Sequence, residues 1–237
     1  MEYRFDKFLE ELEKISVELS EKQLEQFRIY YEMLVEKNKV MNLTGITEWD
    51  EVLEKHFLDS ISLIRVMNLR QNISVIDMGT GAGFPGIPLK IAFPELKVTL
   101  ADSLNKRVLF LQEVIDALGL ENIEAIHGRA EDLARDKNYR EAYDLSVSRA
   151  VANLSTLSEY CLPFVKLGGQ FISYKSGEID QEVAESKSAV FLLGGKVKDV
   201  VKFELGESGR SFIIINKVKG TPKTYPRKAG TPSKKPL

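Results

Sequence analysis

Residues 75–86 read Val75-Ile76-Asp77-Met78-Gly79-Thr80-Gly81-Ala82-Gly83-Phe84-Pro85-Gly86. The stretch opens with an apolar run typical of a buried β-strand, passes through four glycines and leads into a helical segment. Because glycine has no side chain, a ligand can approach the backbone closely where the first strand of a parallel sheet ends. The stretch therefore predicts the first strand, loop and helix of a nucleotide-binding domain.

Short apolar runs alternate with helical runs around and after this loop. We predict strands over 73–78, 97–102, 123–127, 143–147 and 170–174, with helices over 84–93, 106–118 and 154–165 between them. Such alternation is typical of a parallel sheet whose strands are joined by right-handed crossover helices. Two last runs, 196–205 and 210–218, are separated by only four residues, so we predict that an antiparallel hairpin closes the sheet.

The first part of the chain has apolar residues at helical spacing, beginning with Phe5 and Phe8. Ser20 predicts the N-cap of a helix over 21–38, and a second helical run follows over 48–67. The predicted divisions are a helical extension over 1–69, a nucleotide-binding domain over 70–218 and a basic tail over 219–237.

Composition limits the class of protein. With 237 residues, 43% of them hydrophobic, and a formal net charge of -2, the chain can form one substantial core and has no strong bias toward polyanions. One cysteine and two histidines argue against an internal disulfide or a structural zinc site. No apolar stretch reaches the length that spans a bilayer, so we expect a cytoplasmic protein without a membrane segment.

Two kinds of nucleotide fit the glycine loop. Residues 81–86 satisfy the GxGxxG pattern of NAD sites, and Asp102 follows at about the usual distance, roughly 20 residues on. Asp77 favours the other kind, since a carboxylate sits poorly beside a pyrophosphate but suits a ligand with ammonium and sulfonium groups. The run from Asp77 to Gly83 resembles the first signature of class I S-adenosylmethionine-dependent methyltransferases. NAD and a glycine turn without a ligand remain alternatives.

Further landmarks follow one another along the chain. They are Asn42-Leu43-Thr44, His56-Phe57-Leu58-Asp59-Ser60, residues 77–88, Gly128-Arg129-Ala130-Glu131, Ser148-Arg149-Ala150 and residues 225–232. Together they resemble the RsmG family, also called GidB, of bacterial 16S ribosomal RNA methyltransferases, over nearly the full length. The resemblance implies an α/β fold with a Rossmann-like, mostly parallel sheet, an antiparallel C-terminal hairpin and an N-terminal helical extension.

The resemblance also implies an activity. The expected enzyme transfers a methyl group from S-adenosylmethionine to N7 of a guanine in 16S rRNA, in the small-subunit loop near the decoding centre. It would act as a cytoplasmic monomer on the rRNA or the small ribosomal subunit, without a metal ion. Since N7 of guanine carries a lone pair and no proton, methyl transfer to it needs no general base and depends mainly on positioning.

The glycine motif and the resemblance together imply a cofactor site. Its predicted residues are Asp77, Gly79, Gly81, Gly83, Phe84, Asp102, Ser103, Leu104, Ala130, Glu131 and Arg149. We expect Asp77 to face the methionine part of the cofactor and Asp102 the ribose. Ala130 and Glu131 are expected to border the adenine, although a helix N-terminus also explains acidic residues there. Arg149 is the candidate catalytic residue that meets the target base, and a salt bridge at the sheet edge is its alternative.

Four residues are predicted to contact RNA: Tyr174, Lys175, Arg227 and Lys228. Tyr174 could stack on a base, although a half-buried tyrosine beside a solvated lysine explains the pair equally well. Arg227 and Lys228 belong to a stretch, 217–237, with seven basic and no acidic residues. Such a stretch suits RNA phosphates, but it also suits a mobile, disordered terminus. The resemblance of residues 225–232 to the family favours RNA contact or closure of the tail over the site.

Three residues remain that could take part in chemistry. His56 and Asp59 are three residues apart and share one helix face, where a structural hydrogen bond is at least as good an explanation as contact with RNA. His56 and Asp59 are too few to form a metal site. Cys161 lies in an apolar segment and is expected to pack rather than to react.

Three other functions remain open. A small-molecule methyltransferase would need a hydrophobic lid and would have no use for the basic tail. A NAD-dependent oxidoreductase would retain a nicotinamide cofactor and would not bind S-adenosylmethionine. A binding protein that kept the fold and lost turnover would differ in an activity assay alone.

Overall fold

The computed structural model describes residues 3–237 and contains one seven-stranded sheet. Its strands are β1 (Ser74–Met78), β2 (Lys97–Asp102), β3 (Ile123–His127), β4 (Tyr143–Arg149), β5 (Val165–Ser176), β6 (Gly195–Leu205) and β7 (Ser208–Lys217). Their order is β3-β2-β1-β4-β5-β7-β6, and only the pairs made by β7 are antiparallel. This confirms the predicted α/β sheet with a C-terminal antiparallel hairpin.

Helices cover both faces of the sheet. The N-terminal ones are α1 (Asp6–Glu13), α2 (Glu21–Met41), α3 (Trp49–Val52), a π-helix (Leu53–Leu58), α4 (Asp59–Ile61) and a 3-10 turn (Ser62–Arg65). The others are α5 (Gly86–Ala92), α6 (Asn105–Leu118), α7 (Ala130–Leu133), α8 (Leu154–Cys161) with a 3-10 turn (Leu162–Phe164), α9 (Asp180–Leu192) and α10 (Thr231–Lys234). The predicted N-terminal helices are therefore present, and residues 1 and 2 of that extension lie outside the described part.

Helix α2 begins and ends where its sequence indicates. Ser20 accepts a hydrogen bond from the backbone of Gln23, and the Gln23 side chain accepts one from the backbone of Ser20, which forms a capping box. At the other end, Asn42 adopts a left-handed conformation that stops the helix. Between them, the Tyr30 hydroxyl donates to the carbonyl of Ala82 at 2.6 Å. The N-terminal helices thus hold the glycine loop from outside the sheet.

The two faces of the sheet bury separate sets of apolar residues. Val75 of β1 packs into a cluster that includes the N-terminal helices, α5 and α6. Its neighbour Ile76 points to the opposite face, into a cluster that includes α8 and α9. In register, Met78 pairs with Ala101, and Asp102 pairs with His127. The carboxyl ends of β1, β2 and β3 therefore meet at one edge, where the glycine loop also lies.

Several local predictions differ from the structure. The predicted helix over 154–165 ends at Cys161, because the proline at 163 has no amide hydrogen to donate within a continuing helix. Helix α9 was not predicted, since its buried residues are the small Ser186 and Ala189 together with Val190, which give a weak apolar period. The hairpin turn between β6 and β7 is two residues long instead of four.

The predicted mobile tail is instead folded against the domain. The Arg227 guanidinium makes three hydrogen bonds to the carboxylate of Glu159, whose side chain is fully buried. The hydroxyl of Thr156 donates to the carbonyl of Pro232 at 3.0 Å. Because these contacts join residues far apart in sequence, local composition gave no indication of them.

Replacing Gly86 with alanine is expected to lower the free energy of unfolding by about 1–3 kcal/mol. A Cβ at this position would collide with the Leu100 side chain and lie 2.9 Å from an Asp77 carboxylate oxygen. Gly45→Ala is the matched control, since a Cβ there would meet no atom within 4 Å. Urea unfolding of both variants measures the difference, and equal stabilities would contradict this account of the close packing at α5.

Candidate functional site

A cleft of about 270 Å³ opens at the carboxyl ends of β1, β2 and β3. Five of the predicted cofactor residues line it: Gly79, Asp102, Ser103, Ala130 and Glu131. Residues that were not predicted complete its walls, namely Met78, Ala101, Gly128, Arg129, Val151, Tyr160, Gly230 and Ser233. The strand ends thus bring a substantial part of the predicted site together in one place.

Asp102 connects the glycine loop to the segment that follows β2. Its Oδ2 atom accepts from the backbone amide of Gly81 at 3.0 Å and lies 3.4 Å from the Arg107 guanidinium. Its Oδ1 atom accepts from the amide of Leu104 at 2.9 Å. The side chain is 3% exposed, so the carboxylate is a fixed acceptor at the floor of the cleft.

Ala130 and Glu131, which follow β3, also line the cleft. Both are buried, and α7 begins at Ala130, so the helix N-terminus proposed as an alternative is present together with the cleft. Glu131 Oε1 accepts from the backbone amide of Gly230 at 2.8 Å. The C-terminal segment therefore contacts the cofactor cleft through this carboxylate.

Asp77 does not line this cleft, and its expected contact with the methionine part of the cofactor stays a prediction. It is fully buried below the start of α5, where its Oδ2 atom accepts from the Thr80 hydroxyl at 2.6 Å and the Gly86 amide at 2.8 Å. Its Oδ1 atom has no hydrogen-bond partner among the described residues. Burial raises the pKa of this carboxyl group to about 6, although both hydrogen bonds lower it. Asp77 thus acts in the structure as the acceptor that shapes the loop.

Other parts of the glycine loop also contact protein rather than open space. The backbone of Gly79 lies against Val151, so that a Cβ at Gly79 would be 2.7 Å from a Val151 methyl group. A Cβ at Gly83 would be 2.6 Å from the Tyr30 hydroxyl oxygen. Gly81, Gly83, Phe84 and Leu104 do not line the cleft, and the cofactor-binding roles of these four residues stay predictions, as do those of the residues that line it.

Arg149 lies in a second cluster, between the sheet and the N-terminal helices. Its guanidinium donates to Asp59 Oδ2 at 2.8 Å and to the carbonyl of Lys55 at 3.0 Å. The same group lies 5.0 Å from the centre of the Phe84 ring. Arg149 makes the salt bridge that the alternative describes and does not line the cleft, while its roles toward cofactor and base stay predictions.

His56 packs into the same cluster. Its ring stacks on Phe84 with centres 4.5 Å apart, Nε2 lies 2.8 Å from the Thr44 hydroxyl, and Nδ1 lies 3.3 Å from the Arg149 guanidinium. Burial, followed by the positive charge of Arg149, lowers the pKa of His56 to about 4. The imidazole is therefore neutral near pH 7. Its contact with Thr44 also joins the Asn42-Leu43-Thr44 landmark to the landmark over 56–60.

Replacing His56 with glutamine is expected to reduce the acid sensitivity of the fold. Since the folded-state pKa lies below the ordinary value of 6.5, the unfolded chain binds the proton more readily between these values, and acid destabilises the wild type. The stability of the variant relative to wild type should therefore rise by roughly 2 kcal/mol from pH 7 to pH 4.5. The raised pKa of Asp77 changes stability with pH in the opposite direction to His56. Because Asp77 is present in both proteins, its contribution cancels when the variant is compared with wild type.

Urea unfolding at several pH values provides the measurement. His127→Gln is the matched control, because His127 is exposed at the end of β3. If the stability of both variants relative to wild type rose equally as the pH is lowered, burial of His56 would not be the cause of the acid sensitivity.

The predicted RNA-contacting residues differ in what they can reach. Tyr174 cannot stack on a base in this structure, because it is buried against Phe212 and its hydroxyl donates to the Ser60 carbonyl. Lys175 pairs with Glu182 at 2.7 Å. Arg227 is occupied by its buried partner, whereas Lys228 is exposed and remains a candidate for phosphate contact.

Two further observations concern reactive side chains and metal ions. Cys161 is fully buried, and burial raises the pKa of its thiol, which fits the predicted packing role. Within residues 3–237, no group of three or more His, Cys, Asp or Glu side chains is placed to hold a metal ion.

Sequence reasoning missed Val151, Tyr160, Gly230 and Ser233 as parts of the cleft. Tyr160 and Val151 belong to segments with no recognised motif, so nothing in the local sequence marks them. Gly230 falls within the landmark over 225–232, which was the available signal that the C-terminus belongs near the site.

Comparisons with known proteins cover almost the whole chain. The sequence model of the family described as rRNA small subunit methyltransferase G matches residues 23–212. The chain is 54% identical to the ribosomal RNA small subunit methyltransferase G of Lachnoclostridium phytofermentans, with 97% of this chain and 96% of that protein covered. It is 53% identical to the protein of the same name from Brevibacillus brevis, with 98% of each chain covered.

Solved structures share the fold at low sequence identity. A SAM-dependent methyltransferase from Aquifex aeolicus matches with a TM-score of 0.54 and 21% identity, covering 76% of this chain and 97% of that one. M. jannaschii TYW2 in complex with AdoMet matches with a TM-score of 0.56 and 17% identity, covering 73% and 80%. These likenesses support the fold, and the sequence matches identify the chain as a member of the rRNA small subunit methyltransferase G (GidB) family.

Proposed function

We propose that this protein transfers the methyl group of S-adenosylmethionine to N7 of a guanine in 16S rRNA, in the small-subunit loop near the decoding centre. The observation that carries the proposal is the pair of buried carboxylates, Asp102 and Glu131, in one cleft at the ends of parallel strands. Family membership supplies the class of substrate and the guanine position.

The residues of the cleft fit S-adenosylmethionine. Asp102 and Glu131 offer acceptors for ribose hydroxyls and for the adenine amino group, and both carry charge opposite to that of the sulfonium. Met78, Ala101 and Val151 provide apolar surface for the flat adenine ring. When bound, S-adenosylmethionine supplies an electrophilic methyl group on a positively charged sulfur atom.

The contacts of the glycine loop argue against a dinucleotide. The amides of Gly79 and Thr80 both donate to the carbonyl of Ala101, and the Gly81 amide donates to Asp102. NAD sites use such amides, at the loop and the helix that follows, to bind a pyrophosphate. Because three loop amides are already occupied and a carboxylate lies beside them, the NAD alternative loses support.

The protein contributes to methyl transfer mainly by positioning the two reactants. The guanine N7 lone pair attacks without losing a proton, so no side chain needs to act as a base. Correct placement of two reactants can lower the barrier by about 7–11 kcal/mol. The protein's own contribution is a cleft fixed by Asp102, with the neighbouring cluster of His56, Arg149 and Phe84 rigidly held beside the same loop.

We further propose the cellular setting and the organisation of the chain. The enzyme acts as a monomer in the cytoplasm, and its partner is 16S rRNA or the small ribosomal subunit. Residues 1–69 form a helical extension, 70–218 the methyltransferase domain and 219–237 the basic C-terminal segment. No helix among residues 3–237 has the length and apolar character needed to cross a membrane.

The test uses labelled S-adenosylmethionine with 16S rRNA and with small subunits that lack the modification. The proposal expects label in 7-methylguanosine at one position of the rRNA, identified after digestion to nucleosides. Label in another nucleoside, or cofactor binding without transfer to either substrate, would overturn it. A protein that binds no S-adenosylmethionine would overturn the cofactor assignment as well.

A further inference from the structure

The C-terminal strap, which we define as residues 225–234, forms one wall of the cleft described above. Gly230 and Ser233 line that cleft together with Glu131 and Asp102. The strap lies near the C-terminus of the sequence and follows β7, which ends at Lys217. Its position beside the strand ends is therefore a feature of the tertiary structure.

Two buried anchors fix the strap to α8. Arg227 contacts Glu159 with its side chain and donates to it from its backbone amide at 2.6 Å. The Glu159 side chain has no exposed surface, so this carboxylate depends on Arg227 for compensation of its charge. At the other end of the strap, Thr156 holds the carbonyl of Pro232. Both anchoring residues lie on α8. The part of the strap between the two anchors therefore lies beside the cleft.

The turn of the strap contacts a predicted cofactor residue directly. The amide of Gly230 donates to Glu131 Oε1 at 2.8 Å, and Gly230 has a φ of +79°, a conformation that favours glycine. One oxygen of Glu131 is thereby oriented by the strap, while the residue itself lines the cleft. Movement of the strap would release this carboxylate and open the cleft on that side.

We propose that the strap is a binding element for the cofactor: its Gly230–Ser233 turn covers the adenosyl end of S-adenosylmethionine and fixes Glu131 for it. The inference rests on the proposed function, because it assigns the same cleft to that cofactor. It gives Arg227 a positioning role through Glu159, in place of the predicted contact with RNA. The exposed Lys228 and Lys234 remain on the outside of the strap.

Hydrogen–deuterium exchange of the full-length protein, with and without S-adenosylhomocysteine, tests the proposal. The expected result is slower amide exchange both in the glycine loop, 79–86, and in the strap. Slower exchange in the loop with no change in the strap would overturn the inference and leave the cofactor site intact. No change in either region would overturn the proposed function instead.

A paired variant provides a second measurement. Glu159→Gln with Arg227→Gln removes both charges of the anchor without leaving one unpaired in the core. We expect S-adenosylhomocysteine to bind this variant at least tenfold more weakly by calorimetry, with an unchanged far-ultraviolet circular dichroism spectrum. Lys219→Gln with Lys223→Gln is the matched control, because both lysines are exposed in the basic C-terminal segment and lie outside the strap.

Each result of this comparison has a clear meaning. Wild-type affinity in the paired variant would overturn the inference. Equal weakening in the lysine control would also overturn it, since a general effect of basic residues would then explain the loss. If the paired variant unfolds, the exchange experiment on the unmodified protein decides the question alone.

Discussion

Replacing Asp102 with alanine is expected to weaken binding of S-adenosylhomocysteine by at least about 100-fold and to abolish measurable methyl transfer. The carboxylate has two functions that would be lost together. Its oxygens accept hydrogen bonds from the amides of Gly81 and Leu104. In the proposed function, the same carboxylate also accepts from the ribose of the cofactor. Each hydrogen bond to a charged group contributes about 1.5–3 kcal/mol, so the loss of two hydrogen bonds from the ribose hydroxyls to this carboxylate accounts for the predicted factor.

Isothermal titration calorimetry with S-adenosylhomocysteine measures this effect directly. Asp116→Ala is the matched control, because Asp116 lies on the exposed face of α6 and bonds a neighbouring glutamine on that face. The control should bind like the wild type. An Asp102 variant that keeps wild-type affinity while remaining folded would show that the cofactor does not depend on the β2 carboxylate.

Asp102 and Asp77 illustrate what the sequence could and could not predict about the site. Both acids were correctly placed at strand ends, because the apolar runs before them define the strands. Asp102 lines the cleft, whereas Asp77 turns away from it toward the amide of Gly86. Sequence spacing gives the position of a side chain along a strand, but the direction of the carboxylate depends on which backbone amides lie nearby.

Strand bounds were predictable for a related reason. The bounds predicted for β2 and β3 agree with the structure, since both strands are short apolar runs that end at polar residues. β5 extends five residues before its predicted start, from Val165, through Gly168 and Gly169. Glycines weaken the signal of a strand, and the start of β5 is set by the pairing of Val165 with Tyr143 of β4, across an irregularity in the register that sequence propensity does not reveal.

The contacts that could not be predicted are those between residues remote in sequence. Arg227 and Glu159 are separated by 68 residues, and Asp59 and Arg210 by 151. Charge patterns describe each of these residues as part of a solvated surface or a basic tail. Their partners become apparent in the folded chain, where the tail packs on α8 and the N-terminal helices meet the start of β7.

Asp59 joins three parts of the chain. From the N-terminal helices, it accepts from Arg149 at the end of β4 and from Arg210 near the start of β7, at 2.8 and 3.0 Å. The Asp59 side chain is 6% exposed, while the two arginine side chains are 14% and 19% exposed. The two cations face each other across this one carboxylate, so their mutual repulsion is compensated by Asp59.

Asp59→Ala is therefore expected to lower the free energy of unfolding by about 3 kcal/mol, the lower end of the range for breaking a buried ion pair, since both arginines retain some contact with water. Asp50→Ala is the matched control, because Asp50 is exposed on the same extension and contributes at most about 1 kcal/mol through the dipole of α3. Urea unfolding of both variants provides the comparison. Equal losses would show that Asp59 is an ordinary surface acid. A loss of stability in Asp59→Ala alone would show that ion pairs stabilise the packing of the helical extension on the sheet, in addition to the apolar cluster between them.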